Sequence, residues 1–363
     1  MAIIKQLFVH QFRNLSQQHL IPSTTINLFI GDNAQGKTSL IESIYYLGHN
    51  RSFKTKSLKE VTAFNCQRFQ LSAQLTEHKI KLEKSTKNNT ISINNQVIQN
   101  SSKLSQILPI QLITPDKGFV VNGTPKIKRS YIDWGVFHVK PDSINAFKTY
   151  QKVLKNINSL ISKQQTNELD FWFFELAKSA AEINQNRSEY IEKLKQITHN
   201  KDINKYGELI NSIEKFDFKY MTGWPSEVDA NNIQSIVDFL IKNKNNILKL
   251  KYLNYGVHKA NIVFEYNDKK EMYLSRGEQK TLSIIFWLNQ VLILNSIKNN
   301  PIVLLDDLSS ELDNKKINFI LMYLKQLNVQ TFVTDIGNNI GNISTISPTI
   351  FYIDKGVISR KSQ

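Results

Sequence analysis

Eight consecutive residues, Gly31-Asp32-Asn33-Ala34-Gln35-Gly36-Lys37-Thr38, satisfy the pattern G-x-x-x-x-G-K-[ST] without a mismatch and restrict the folds open to this chain. A phosphate loop of this kind works only between a strand and a helix. Its glycines let backbone N–H groups turn inward around the β- and γ-phosphates, Lys37 brings a point charge, and Thr38 offers a hydroxyl to Mg²⁺. The flanks agree. Ile26-Asn27-Leu28-Phe29-Ile30 reads as the incoming strand, and Ser39-Leu40-Ile41-Glu42-Ser43-Ile44 continues a helix whose positive N-terminal dipole faces the anion. Residues 31–39 are therefore the candidate nucleotide contacts, within an α/β fold.

A second segment completes the expectation. Pro301-Ile302-Val303-Leu304-Leu305-Asp306-Asp307 is an apolar run ending in two acids, the layout of a Walker B strand buried on both faces of a sheet. Its C-terminal end delivers Asp306 beside the loop as a candidate Mg²⁺ ligand with Thr38. Asp307 is placed to orient or deprotonate an attacking water, with capping of the helix that follows as the alternative. Lys37, Asp306 and Asp307 are the candidate catalytic residues.

Of 363 residues, 46 are Lys or Arg against 31 Asp or Glu, a net charge of +15, which suggests a polyanionic partner such as nucleic acid. Only seven of the 46 are arginine, a skew that A/T-rich coding alone produces, so charge supports DNA binding weakly. A single cysteine, Cys66, excludes an intrachain disulfide and a multi-cysteine metal site. No signal-peptide layout opens the chain, and the longest apolar stretch, 282–297, is broken by Asn289, Gln290 and Asn295, as in a buried helix. The expectation is a cytoplasmic, nucleoid-associated protein without a membrane span.

Residues 1–115 read as β-rich around the loop helix, with alternating strands at 70–75, 79–83 and 91–93. From about 142 to 250 the period becomes helical, and the aromatic run Phe171-Trp172-Phe173-Phe174 reads as core packing rather than a base-stacking platform. Strands return after 252. The expected organisation is a discontinuous head, 1–115 with 252–363, and a mainly helical lobe, 116–251. Leu274-Ser275-Arg276-Gly277-Glu278-Gln279-Lys280 opens a helix, with Ser275 near its N-cap and Gly277 allowing close backbone approach. Ser309-Ser310-Glu311-Leu312-Asp313 follows Walker B at short range.

Together these match an LSGGQ-like signature and a SALD-like D-loop in the order expected after Walker A. The chain thus resembles the ABC ATPase superfamily and, within its SMC-like DNA-repair branch, the RecF family. Further segments carry the resemblance: Phe12-Arg13-Asn14, Gly48 to Phe53, Leu112-Ile113-Thr114-Pro115-Asp116, Gly123 to Trp134, and Gly256-Val257-His258-Lys259-Ala260. It spans nearly the whole length, the helical insert matching in size and placement only. Departures are Lys128-Arg129 where two arginines are usual, no Pro in 256–258, Arg276 where transporters carry a second glycine, and no histidine after His258. Thr334 is then a candidate γ-phosphate sensor in place of a switch histidine.

The resemblance implies an ABC-type ATPase head with mixed sheets and an inserted helical lobe. It implies a weak, DNA-stimulated ATPase that uses ATP and Mg²⁺. Ser275 and Gly277 would reach the ATP of a second subunit in an ATP-dependent homodimer, and Arg13 would meet phosphate or adenine. It further implies recognition of single-strand gaps and ss/dsDNA junctions in replication and recombinational repair, and loading of the RecA recombinase with RecO- and RecR-type partners. Candidate DNA contacts are Arg51, Lys54, Lys56 and Lys59, then Lys126, Lys128 and Arg129. Only about a hundred residues between Lys37 and Ser275 read as helical; at ~1.5 Å per residue, folded back, they form a short lobe and not the long arms of chromosome-structuring SMC proteins. Competing expectations are a nucleotide-gated scaffold with little turnover and an ABC transporter ATPase subunit.

Overall fold

A strand that must hold a phosphate loop rigid needs burial on both faces, and Ile26–Ile30 has it: all five residues are buried. The computed structural model describes residues 2–114, 120–199, 209, 215–307, 312–335 and 346–360. Pro115, Asp116 and the first three D-loop residues, 309–311, lie outside them. Contacts divide the chain into two compact units, Met1–Gly118 with Val291–Gln363, and Phe119–Gln290.

In chain order the first stretch supplies β1 (Ile4–Phe12), β2 (Leu15–Leu20), β3 (Ile26–Ile30), β4 (Arg68–Leu75), β5 (Lys79–Ser85), β6 (Asn89–Ile93), β7 (Gln96–Val97) and β8 (Ile110–Ile113). The second unit adds β9 (Phe216–Met221), β10 (Asn261–Tyr266) and β11 (Lys269–Lys270). The return to the first unit adds β12 (Ile302–Leu305), β13 (Thr331–Asp335), β14 (Thr349–Asp354) and β15 (Val357–Arg360).

Two six-stranded sheets build the first unit. One, ordered β15-β14-β3-β13-β12-β8, is parallel apart from the β14–β15 hairpin. Its central strands β3, β13 and β12 are buried along their whole length, and β12 is a continuous apolar run, as burial on both faces favours. The other, β2-β1-β4-β5-β6-β7, is antiparallel, and its strands alternate apolar and polar as the sequence period predicts. The loop helix Lys37–His49 contributes Leu40, Ile41, Ile44 and Leu47 to one core with Leu7, Phe69, Leu71 and Leu82 of the antiparallel sheet and Phe29, Leu304 and Phe332 of the parallel one. Each such side chain stabilises the unit by about 1.5–3 kcal/mol on burial. The phosphate loop therefore sits on a helix held from both sides.

The second unit contains helices Pro125–Val139, Ile144–Ser162, Leu169–His199, Ile233–Lys242 and Lys244–Leu250, with a three-stranded sheet ordered β11-β10-β9. Its boundaries differ from the expected 116–251. The strand 261–266 pairs antiparallel with 216–221 through six residue pairs, so 252–290 packs with the lobe and the return to the head comes at 291. Sequence periodicity locates a strand without naming its partner. The aromatic run divides by face: Phe173 is fully buried, while Phe171 and Phe174 are exposed.

Two histidines make this unit acid-sensitive. Burial lowers His138 to about 3, and burial first, then neighbouring Lys259, Arg129 and Arg187, lowers His258 to about 4. His258 Nε2 lies 3.2 Å from the Leu253 carbonyl, so it carries the proton, and Nδ1 accepts from the Tyr150 hydroxyl at 2.7 Å. Both pKa values lie below the unfolded value near 6.5, so the unfolded chain binds more protons in that window. Stability is complete above pH 6.5 and falls as pH drops toward 4, by up to about 3 kcal/mol per histidine. Thermal unfolding of His258→Gln between pH 7 and 4 is expected to show a shallower decline than wild type.

Candidate functional site: a phosphate loop closed by two acids

The loop is held in its working shape by the protein itself. Gly36 adopts φ 119°, a left-handed conformation that favours glycine, and starts the helix without a side-chain cap. A Cβ on Gly31 would lie 2.3 Å from the Ile353 carbonyl oxygen, so the strand-to-loop exit also requires glycine. Gly356 N donates to the Gln35 carbonyl at 2.9 Å, tying the loop to the β14–β15 turn. Asp32, Asn33 and Ala34 are exposed at the crest, and Ala34 also has positive φ (65°).

Lys37 Nζ donates to the carbonyls of Gly31 (2.5 Å) and Asp32 (2.8 Å), folding back over the loop. Burial lowers its pKa, and Asp307, Asp306, Asp32 and Asp335 oppose that by favouring the charged amine. Across the parallel sheet, Asp306 follows the last residue of β12. Its Oδ1 accepts from the hydroxyls of Thr38 at 3.3 Å and Thr334 at 2.8 Å. The same Thr334 hydroxyl accepts from Asp307 N at 3.0 Å, at a residue with φ 55°. Thr334 thus joins both acids to strand β13. Burial holds the Asp306 carboxyl above its ordinary range, with Thr334, Lys54 and Thr38 pulling it back and Asp307 adding to the rise. A cation there would reverse that penalty. The donors, a hydroxyl and a carboxylate, are hard oxygens that suit Mg²⁺ completing its shell with phosphate and water.

These groups open onto a cavity of about 970 Å³, lined on one part by residues 33–39 (apart from Gln35), Lys54, Asp306, Asp307 and Thr334, and on another by Leu58 to Glu60, Thr62 to Gln67, and Thr86. Arg13 and Asn14 line it too. Arg13, expected to meet phosphate or adenine, uses three of its five N–H donors within the protein. Nε and Nη2 fork onto Glu42 at 2.8 Å each, and Nη1 donates to the Glu60 carbonyl at 2.7 Å. Glu42 is buried in the loop helix and also accepts from Ser52. Sequence reading missed Glu42; a lone acid among Leu40, Ile41 and Ile44 was the available signal.

Lys54 belongs to this cavity and acts electrostatically on Asp306, a placement the sequence reading did not give it. It is shared with a neighbouring groove of about 530 Å³ lined by Arg51, Lys56, Ser57, Tyr45 and Tyr46. Arg51, Lys56 and Lys59 are exposed, as an anion contact requires.

In the second unit the basic candidates separate. Lys126 is exposed. Lys128 is not available to DNA: it is 1% exposed, donates to the Ile262 carbonyl at 2.8 Å and pairs with Glu271. Arg129 is half-buried and donates to the Ala260 carbonyl at 2.7 Å. Asp133, in the same segment, takes the fork of buried Arg187 at 2.8 and 3.0 Å. Lys128, Arg129 and Asp133 of the stretch Gly123–Trp134 brace β10 and the long helix, while Lys126 stays exposed. Lys128→Ala is expected to destabilise the unit by about 3 kcal/mol, since breaking a buried pair strands its partner. Calorimetry should show that loss, while the salt dependence of DNA binding stays at its wild-type slope.

Ser275 and Gly277 begin the helix Arg276–Ser296. Ser275 N donates to Glu278 Oε2 at 2.7 Å and Glu278 N to Ser275 Oγ at 3.3 Å, a reciprocal capping box. A Cβ on Gly277 would meet nothing within 4 Å, so no neighbour among the described residues accounts for the glycine.

A family model described as the RecF/RecN/SMC N terminal domain matches residues 3–358. The DNA replication and repair protein RecF of Psychromonas ingrahamii is 32% identical over 98% of this chain and 99% of its own length. This chain belongs to the RecF family. A second family member, RecF of Hydrogenovibrio crunogenus, is 32% identical over 92% of both chains. Among solved structures, the recombination mediator protein RecF with ATP, of the RecFOR pathway, superposes with a TM-score of 0.84 at 26% identity, covering 99% of this chain and 98% of that one. The Smc head domain of Pyrococcus furiosus gives 0.58 at 12% identity over 100% of this chain and 96% of that one, a likeness of fold alone. The head is therefore of the ABC ATPase type, and no helix among the described residues is long and apolar enough to cross a membrane.

Proposed function

We propose that this RecF-family chain is an ATP-dependent DNA-binding protein of replication and recombinational repair, acting in the cytoplasm at the nucleoid. The observation that carries the reading is the Asp306 carboxylate held between the hydroxyls of Thr38 and Thr334 at the mouth of a formed phosphate loop. Backbone N–H groups of residues 33–39 bind the phosphates of ATP, and Lys37 exchanges its two carbonyl partners for phosphate oxygens. Thr38 and Asp306 hold Mg²⁺, which when bound neutralises charge developing on the transferred phosphoryl group. Asp307 orients the attacking water and accepts its proton, while Thr334 keeps the two acids in register.

Ser275 and Gly277 begin a helix whose N-terminus suits the phosphates of ATP held by a second copy, with the Ser275–Glu278 capping box opening to free its N–H groups. The homodimer forms with ATP and loosens after hydrolysis. DNA gaps and ss/dsDNA junctions engage the groove of Arg51, Lys54 and Lys56, with Lys59 and Lys126 as further phosphate contacts; RecO- and RecR-type proteins then assist loading of RecA. Lys54, common to groove and cavity, makes hydrolysis responsive to DNA. Phosphate release measured without DNA, with continuous duplex and with gapped duplex tests this. Gapped duplex should stimulate a slow basal rate most, and Lys54→Ala should lower that stimulation. Equal rates in all three conditions would contradict the reading.

A further inference from the structure

The cavity has a wall that phosphate chemistry does not use. Thr62 to Gln67 connect a short helix, Leu58–Val61, to β4, and this connection is pinned to β1: Ala63 N donates to the Gln11 carbonyl at 2.9 Å, and Arg13 N donates to the Val61 carbonyl at 2.8 Å. Cys66 N closes a turn onto the Ala63 carbonyl at 3.0 Å, with Asn65 left-handed at φ 60°. At the crest of this turn stands Phe64. It lines the nucleotide cavity and is 91% exposed, the most exposed of the large apolar side chains among the described residues. Among the described residues, no aromatic or cationic side chain covers its ring.

A phenyl ring left wet on a rigid turn, in the wall of a cavity whose other part binds triphosphate, has the chemistry of a base platform. We propose that Phe64 stacks against the base of the bound nucleoside triphosphate, fixing the base while the Walker residues hold the phosphates. This rests on the assignment of the cavity to ATP. Every base has a π-face, so the contact is tolerant of base identity. Phe64 supplies affinity for nucleosides over free polyphosphate, and discrimination between purines falls to the polar groups beside it, Thr62, Asn65, Gln67 and Thr86.

The experiment is calorimetric titration of the full chain with ATP, GTP and inorganic triphosphate, each with Mg²⁺, for wild type, Phe64→Ala, Phe64→Tyr and Lys37→Ala. Stacking contributes a factor of about ten or more, so Phe64→Ala should lose roughly tenfold for ATP and GTP alike and nothing for triphosphate. Phe64→Tyr should restore both. Unchanged ATP affinity in Phe64→Ala, with binding lost in Lys37→Ala, would overturn the platform and leave the nucleotide site standing. Equal losses for ATP and triphosphate would also overturn it, since Phe64 would then act by shaping the loop. Retained ATP binding in Lys37→Ala would instead refute the cavity assignment itself.

Discussion

Asp307→Asn should bind ATP at wild-type affinity, lower turnover by about 10²–10⁴-fold, and accumulate an ATP-bound dimer. The side chain follows the buried strand β12 and its backbone N–H is tied to Thr334, so the amide replaces the carboxylate without moving the chain. What disappears is a proton acceptor at the water position. If hydrolysis opens the dimer, blocking it leaves the closed state as the end point. Phosphate release and sedimentation in Mg-ATP report both quantities. The helix that follows is capped by Asp313, so wild-type turnover in Asp307→Asn would leave this acid without a role in hydrolysis and return the scaffold reading to first place.

Lys37→Ala carries the second large effect. Its amine is the one that already bridges two loop carbonyls and is surrounded by Asp307, Asp306, Asp32 and Asp335. Hydrogen bonds to a charged partner contribute about 1.5–3 kcal/mol each, so losing two of them to phosphate weakens ATP by about 10²–10⁴-fold. The four acids would also lose the cation between them and repel the incoming triphosphate. Equilibrium binding of a fluorescent ATP analogue gives the number directly. A loss below threefold would show that Lys37 does not meet phosphate.

The parts legible in the sequence are those where one residue type has one use. The G-x-x-x-x-G-K-T run and the four apolar residues before Asp306 specify strand, loop, helix and acid from local pattern alone, and the structure brings Thr38, Asp306 and Thr334 together. Less legible were residues whose role depends on a distant partner. Lys128 reads as one more basic side chain until Glu271 closes on it from 143 positions away. Arg13 lines the nucleotide cavity, and its fork onto Glu42 could not be read from the sequence. The strand at 261–266 was visible as a strand, but its pairing with 216–221 moved a domain boundary by some forty residues. Phe64 gave no periodic signal, because a turn residue is defined by what it faces.

The most direct test of the central claim, that nucleotide state governs DNA engagement, is equilibrium binding of a fluorescent gapped duplex at one moderate salt concentration. ATP and ADP are compared for wild type and Lys37→Ala. Tighter binding with ATP than with ADP, with the difference abolished in Lys37→Ala, is the predicted result. Equal and steeply salt-dependent binding in all four conditions would mean that the +15 charge binds DNA without reference to the nucleotide, and would contradict the account.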